Sequence, residues 1–555
     1  MNGAQIMVEC LKQEGIDIIF GYPGGVLLPL CDHLYDSGIK FVLVRHEQGA
    51  AHAVDGFARS SGKIGVCMAT SGPGATNLAT GIATAYMDSI PMIAITAQVA
   101  TNLIGSDAFQ EVDITGITRP ITKHNYLIKD VADIARTVKE AFYIARSGRP
   151  GPVLIDLPVD IQRAESEFEY PDKVDIRSYK PVYEGHPLQI ERACRMIKES
   201  KKPLLIAGGG IIGANASEEL KKFVETANIP TTFTLMGLGS LPIEHPLSLG
   251  MLGMHGTKYA NYAVIESDLL IAIGCRFDDR ITGKIEDFAP NARIIHIDID
   301  PTSISKNIVV DVPIVGNAKD ILEQFNEKIT FEPRKEWITK IKEWKEKYPL
   351  FYKKNGLKPQ YIIEKISALL PEDAIICTEV GQNQMWTAQY YKFKKPRTFI
   401  TSGGLGTMGF GFPAAIGAQF ANPGKVVVDI AGDGSIQMNI QELATAVYHR
   451  LPIKIIILNN FCLGMVRQWQ ELFYNKRYAY TCTENAQPDF AKLAEAYGAI
   501  GYKVVSVEEF DGIISKVLEE KDKPVILDCR IDPEEKVFPM VPAGAALDQI
   551  LEGIA

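Results

Sequence analysis

Gly432-Asp433-Gly434-Ser435 is followed by a helical run and then by Ile453-Lys454-Ile455-Ile456-Ile457-Leu458, which ends in Asn459-Asn460. A glycine-flanked carboxylate leaves one apolar strand, and an amide pair leaves the next. In a parallel sheet both fall on the same carboxyl edge, where glycines let backbone approach a ligand. Asp433 and Asn460 offer hard oxygens, which suits a divalent cation holding a diphosphate. Each half alone is also a common turn. The strand-helix-strand between them favours a site.

This stretch is one copy of a duplicated unit. Lys63-Ile-Gly-Val66-Cys-Met-Ala69-Thr-Ser-Gly72-Pro-Gly-Ala-Thr-Asn77 aligns on Lys425-Val-Val-Val428-Asp-Ile-Ala431-Gly-Asp-Gly434-Ser-Ile-Gln-Met-Asn439. Lys, Val, Ala, Gly and Asn recur at one constant offset, and Tyr86 then falls on Tyr448. Each copy closes with a helix, an apolar-Pro pair (Ile90-Pro91; Leu451-Pro452) and another strand. The middle of the chain repeats the scheme more loosely, from Pro203-Leu-Leu-Ile-Ala207-Gly208-Gly209-Gly210 to Ile229-Pro230. Short apolar strands alternating with helices and glycine turns imply parallel sheets covered on both faces. The expected class is therefore α/β, with three doubly wound parallel-sheet domains at 1–165, 188–330 and 360–540. The charged stretch 161–187 and the Lys/Glu/Trp-rich segment 331–359 separate them. The second reads as an amphipathic helix around Trp337 and Trp344.

Bulk properties agree with three globular domains. The chain has 555 residues, 46% hydrophobic and 23% charged, too long for one core. A net charge of -9 gives no basic footprint for nucleic acid. The nine cysteines are scattered without a CxxC pair, which reads as buried thiols in a reducing compartment rather than zinc ligands or disulfides. No apolar run spans a membrane, and residues 1–19 read as an amphipathic helix entering a strand rather than a leader. A cytoplasmic enzyme is expected.

The Gly-Asp-Gly to Asn-Asn pattern resembles the thiamine-diphosphate-dependent enzymes. The resemblance implies Mg2+ on Asp433, Asn460 and the backbone carbonyl of Cys462. It implies a diphosphate cradle of Gly432, Gly434, Ser435, Gly464 and Met465. It also points to Glu47, in Arg45-His46-Glu47-Gln48-Gly49, after the strand 41–44. A carboxylate bonded to N1′ of the aminopyrimidine promotes the tautomer that deprotonates the thiazolium. Taken alone, Glu47 reads as a neighbour of a helix cap. By resemblance the first domain holds the pyrimidine and the third the diphosphate, on different subunits of an obligate homodimer.

Further motifs narrow the likeness to the catalytic subunits of the acetolactate synthase family: Gly404-Leu-Gly406-Thr-Met408-Gly409, Gly381-Gln382-Asn383-Gln384-Met385-Trp386, Gln468-Trp469-Gln470 and Ser106-Asp-Ala-Phe109-Gln110-Glu111. The resemblance implies that Met408 wedges the cofactor into a bent shape and that the Gly406 carbonyl accepts from its amine. Gly381, Gln382 and Asn383 join the cofactor site, and Phe109 and Gln110 the catalytic centre. Trp469 flanks the second substrate, in a loop 468–483 expected to act as a lid. Leu252-Gly253-Met254-His255 and Arg276-Phe277-Asp278-Asp279-Arg280 resemble the segments by which biosynthetic members hold FAD. Arg149, Gly208, Gly209, Gly210, Asp298 and Gly316 join that set. On the residues alone, the arginine loop equally reads as a surface ion-pair cluster. Arg276 would also hold the acceptor carboxylate. Val159 stands where many relatives carry Lys, and Asn383 where His is common.

The expected reaction is decarboxylation of pyruvate and addition of the two-carbon unit to a second pyruvate or to 2-oxobutyrate, early in branched-chain amino-acid synthesis. A pyruvate oxidase or another FAD-bearing carboligase is the rival on the same scaffold. A tetramer and a separate regulatory subunit stay open.

Overall fold

The computed structural model describes residues 1–484 and 486–553. It contains three six-stranded sheets, parallel at every strand pair. The first is built from β1 (Ile18–Tyr22), β2 (Lys40–Leu43), β3 (Gly65–Ala69), β4 (Met92–Gln98), β5 (His124–Leu127) and β6 (Pro152–Pro158). The second uses β7 (Pro203–Ala207), β8 (Thr231–Phe233), β9 (Ser248–Met251), β10 (Leu269–Ile273), β11 (Arg293–Asp298) and β12 (Val312–Val315). The third uses β13 (Ile375–Thr378), β14 (Phe399–Ile400), β15 (Val427–Gly432), β16 (Lys454–Asn459), β17 (Ile500–Val504) and β18 (Val525–Arg530). Helices cover both faces, and the central strands are buried throughout. Such strands read as continuous apolar runs because neither face meets water.

The first and third sheets share one strand order, β2-β1-β3-β4-β6-β5 and β14-β13-β15-β16-β18-β17. The duplicated unit in the sequence is thus a duplicated topology. The middle sheet differs. Its order, β12-β11-β10-β7-β8-β9, is the two-halves arrangement of dinucleotide-binding folds, with a switch point between β7 and β10. The loose third repeat is local: the strand-glycine-helix-strand order recurs from β7 to β8 as parallel neighbours, inside a sheet of different strand order.

The duplicated units pack through helices Glu47–Ser61 and Gly411–Ala421. A Cβ on Gly56 would lie 2.0 Å from the Ala414 carbonyl, and one on Gly417 1.7 Å from that of Ala53. Only glycine permits these backbones to touch. Helix Lys335–Lys347 fills the segment after the middle sheet. Trp337 is buried there, stacks edgewise on Trp344 and donates its indole N–H to the Pro203 carbonyl at 3.0 Å.

Two local expectations change. Residues 464–473 form a helix (Gly464–Phe473), so Trp469 sits on a rigid element and only the later part of 468–483 is irregular. The run after Ser435 begins as two short 3-10 turns before helix Leu443–Tyr448.

Candidate active site

The register of β15 on β16 pairs Gly432 with Leu458, so Asp433 and Asn460 emerge at the same carboxyl edge. Both are buried. Asp433 Oδ2 accepts from Gln487 Nε2 at 2.6 Å and from Thr483 Oγ1 at 3.2 Å. Burial pushes its carboxyl up to about 7, an environment that a cation would reverse. Asn460 Oδ1 accepts the Cys462 N–H at 3.1 Å, which folds that backbone toward the same edge. Among the described residues no three His, Cys, Asp or Glu side chains gather as a metal cluster. Asp433 and Asn460 bring one carboxylate and one amide oxygen to this edge, hard donors that fit Mg2+ completed by diphosphate oxygens.

Glycines open this edge. A Cβ on Gly464 would meet Gln382 Oε1 at 2.1 Å and Asn460 Nδ2 at 2.6 Å; one on Gly434 would meet Leu463 at 2.6 Å and the Met408 methyl at 3.8 Å. Met408 therefore stands over the Gly-Asp-Gly turn. Ser435 is buried behind it. Gln382 joins the elements, accepting from Asn460 Nδ2 at 3.0 Å and donating to Gln468 Oε1 at 2.9 Å. Asn383 donates to the carbonyls of Glu379 (3.0 Å) and Ile430 (2.8 Å), pinning β13 to β15 rather than facing open space. Gly381 and Gly406 adopt positive φ of 150° and 70°.

From this edge a cavity of about 1680 Å³ runs to the middle sheet. Gly381, Gly406, Met408, Met465 and Trp469 line one end. Arg149, Gly209, Gly210, Leu252, Met254, His255, Arg276, Asp278, Arg280, Asp298 and Gly316 line the other. Its volume leaves room for a dinucleotide. His255 is buried with Nδ1 lacking a protein partner, and burial lowers its imidazole to about 4. A neutral ring with a free ring nitrogen fits a polar ligand there. Asp298 is pushed up to about 6 by burial. Arg276 donates to the Met87 carbonyl at 2.7 Å, and Arg149 to Ser89 Oγ at 2.8 Å, tying the first domain to this cavity. Arg280 is exposed beside Asp279. Gly208 and Gly253 lie off the lining. A Cβ on Gly208 would strike the Gly274 carbonyl at 2.1 Å, and one on Gly253 the Arg280 carbonyl at 2.2 Å. Their lack of a side chain serves packing against the segment that follows β10.

Glu47 begins its helix with His46 as N-cap. It is buried, and Oε2 accepts from Asn77 Nδ2 at 2.9 Å. A Cβ on Gly74 would lie 3.3 Å from Glu47 Oε1, and one on Gly72 2.8 Å from the Gln110 carbonyl. Glu47 and Gln110 therefore gather around the Gly72-Pro73-Gly74 turn, and neither lines the large cavity of the same chain. Phe109 is 87% exposed on that surface.

Several polar groups at these edges escape sequence reading. Glu442 accepts the N–H groups of Arg45 and His46. Glu379 accepts those of Gly409 (2.7 Å) and Phe412 (3.1 Å), holding the turn after Met408. Arg59 donates to Asp55, Asp88 and the Thr401 carbonyl, while Asp88 accepts from Gly403 and Gly404. Glu379 carried a signal, since it follows an apolar strand as Asp433 does. The aligned asparagines carried another: Asn77 holds Glu47, and Asn439 donates to the Gly409 carbonyl at 2.7 Å.

Three family models match this chain: the thiamine pyrophosphate enzyme N-terminal TPP binding domain at residues 1–117, its central domain at 190–325 and its C-terminal TPP binding domain at 379–529. The chain belongs to the thiamine pyrophosphate enzymes. It is 51% identical to the probable acetolactate synthase large subunit of Methanocaldococcus jannaschii, covering 100% of this chain and 96% of the relative. It is 49% identical to the acetolactate synthase large subunit of Haemophilus influenzae, over 99% of this chain and 98% of the relative. Against acetolactate synthase isozyme 3 large subunit of Escherichia coli the identity is 47%, again over 99% and 98%. Within the thiamine pyrophosphate enzymes, it falls in the acetolactate synthase large-subunit family.

Proposed function

We propose that this chain joins two 2-oxo acids with loss of CO2, as the catalytic subunit of an acetolactate synthase. Pyruvate is the donor. A second pyruvate gives 2-acetolactate, and 2-oxobutyrate gives 2-aceto-2-hydroxybutyrate. The observation that carries this reading is the single cavity that brings the Gly381, Gly406 and Met408 end together with Arg276 and Trp469. Arg276 offers a cationic fork and Trp469 an aromatic wall within one cavity, which suits a small carboxylate substrate.

Thiamine diphosphate, when bound, supplies the electron sink for decarboxylation. Asp433, Asn460 and the Cys462 carbonyl would hold Mg2+, and Gly432, Gly434, Ser435, Gly464 and Met465 the diphosphate. Gly381, Gln382, Asn383, Gly406 and Met408 would orient the rest. Glu47 would hold the proton at N1′, Phe109 and Gln110 would close over the reacting carbon, and Arg276 would grip the acceptor carboxylate beside Trp469. FAD would occupy the middle-sheet end, against Arg149, Gly209, Gly210, His255, Arg280, Asp298 and Gly316. The reaction has no net redox change, so its role there is structural. Glu47 and the cavity stand apart within one chain, which supports a homodimer whose sites each draw on two chains. Among the described residues no helix is long and apolar enough to cross a membrane, and the free thiols fit a reducing cytoplasm. The relatives' designation as large subunits supports a separate small regulatory partner.

The test is product analysis with pyruvate and 2-oxobutyrate together, with thiamine diphosphate and Mg2+ present and FAD supplied, then withheld. Both acetohydroxy acids should form. Oxygen uptake with acetate or acetyl phosphate as product would replace this reading with an oxidase.

A further inference from the structure

Cys462 and Cys482 face each other across a short antiparallel contact. The Leu463 N–H donates to the Thr481 carbonyl at 2.9 Å, and the Thr483 N–H to the Phe461 carbonyl at 2.8 Å. These bonds bracket the cysteines, which therefore occupy a non-hydrogen-bonded pair position. Such residues have Cα atoms about 4.5 Å apart, within the reach of a disulfide. The sulfurs are 3.8 Å apart. Cys462 is buried, and Cys482 alone of the cysteines is exposed.

We propose that Cys462 and Cys482 are a reversible disulfide-forming pair that fastens the strap 474–483 to the turn carrying Asn460. The oxidant would be a small dialkyl disulfide such as oxidised glutathione. The Cys482 sulfur attacks one glutathione sulfur, breaking its S–S bond and releasing the first glutathione thiol. The Cys462 sulfur then attacks Cys482 in that mixed disulfide and releases the second. Two protein thiols lose two protons and two electrons, and oxidised glutathione gains both to become two thiols. The Cys462 backbone carbonyl takes no part in the bond.

The position gives the bond a consequence. One joined strand holds Asn460 through the Cys462 N–H, and the other carries Thr483, whose hydroxyl donates to Asp433. A crosslink limits independent movement of the two strands. The crosslink stands apart from the reaction proposed above, whereas its bearing on the diphosphate site rests on that reading.

The test treats the full-length protein with oxidised glutathione and follows intact mass, peptide maps and backbone amide exchange. Wild type should lose two hydrogens, yield a Cys462–Cys482 linked peptide and exchange more slowly over 474–483, with dithiothreitol reversing all three. Cys462→Ser should retain one glutathione on Cys482, because nothing resolves the mixed disulfide. A stable glutathione adduct on wild-type Cys482, a different linked pair, or a full set of free thiols would each overturn the proposal. Failure of product formation with this linkage intact would count against the reaction alone.

Discussion

Oε1 of Glu442 accepts the backbone N–H of His46 at 3.0 Å, one residue before Glu47. It accepts that of Arg45 as well, at 2.9 Å. Glu442 lies in the stretch between Asp433 and Asn460, so the third domain sets the turn that delivers Glu47, the proposed catalytic carboxylate.

Removing this acceptor should displace Glu47 without emptying the metal edge. Hydrogen bonds to a charged group contribute about 1.5–3 kcal/mol, and small misplacements of a catalytic group cost up to about 100-fold in rate. Glu442→Ala is expected to lower kcat by about 10- to 100-fold with Mg2+ and diphosphate binding retained. Glu442→Gln, which keeps an acceptor oxygen, should recover part of it. Steady-state kinetics beside amide exchange over 44–48 check this; wild-type turnover in Glu442→Ala removes the positioning role.

The contact between the duplicated units makes a second, purely steric prediction. A methyl group on Gly417 would overlap the Ala53 carbonyl, and overpacking of this kind costs typically about 1–3 kcal/mol, occasionally more. Gly417→Ala should therefore lower the denaturant midpoint clearly. Gly424→Ala, where nothing lies within 4 Å, should leave it unchanged or slightly raised. Equal midpoints for the two variants would contradict the close approach.

Asp156 on β6 provides the pH test. It is buried, accepts from Thr96 at 2.7 Å and Gln98 at 3.0 Å, and burial raises its carboxyl from 3.8 to about 7. The folded state thus keeps a proton that the unfolded state has lost between those values. The stability it contributes is fully present below pH 3.8, falls as pH rises through about 7, and is level above. Asp156→Asn cannot titrate, so the difference between variant and wild type should shift in the variant's favour by a few kcal/mol at most from pH 4 to pH 8, at about 1.4 kcal/mol per unit. Denaturation curves at several pH values read it, and a constant difference would show Asp156 to be ionised throughout.

Much of this architecture is legible in the sequence because the burial of parallel strands leaves an apolar signature and glycine loops mark their carboxyl edges. The duplicated unit and the Asp433–Asn460 spacing rest on that. The middle sheet is less legible: Gly208-Gly209-Gly210 after a strand looks the same whether the next strand pairs to its left or right. Glu442 is illegible for another reason. Its partners are backbone N–H groups in a distant segment, and no side-chain pattern announces an acceptor for them. Gln468-Trp469-Gln470 has no apolar period of its own and reads as loop; its helix is fixed instead by Arg467 and Gln468 bonding to residues 533–537.

In the proposed homodimer each site takes Glu47 from one chain and Asp433 from another. Chains carrying Glu47→Gln and chains carrying Asp433→Ala should each be inactive alone, with the Glu47→Gln dimer still binding Mg2+ and diphosphate. Unfolded together and refolded as a mixture, they should regain acetolactate formation, because each mixed dimer pairs one intact Glu47 with the partner's intact Asp433. A mixture as inactive as its parents, with mixed dimers demonstrated by mass, would show that the site is built within a single chain.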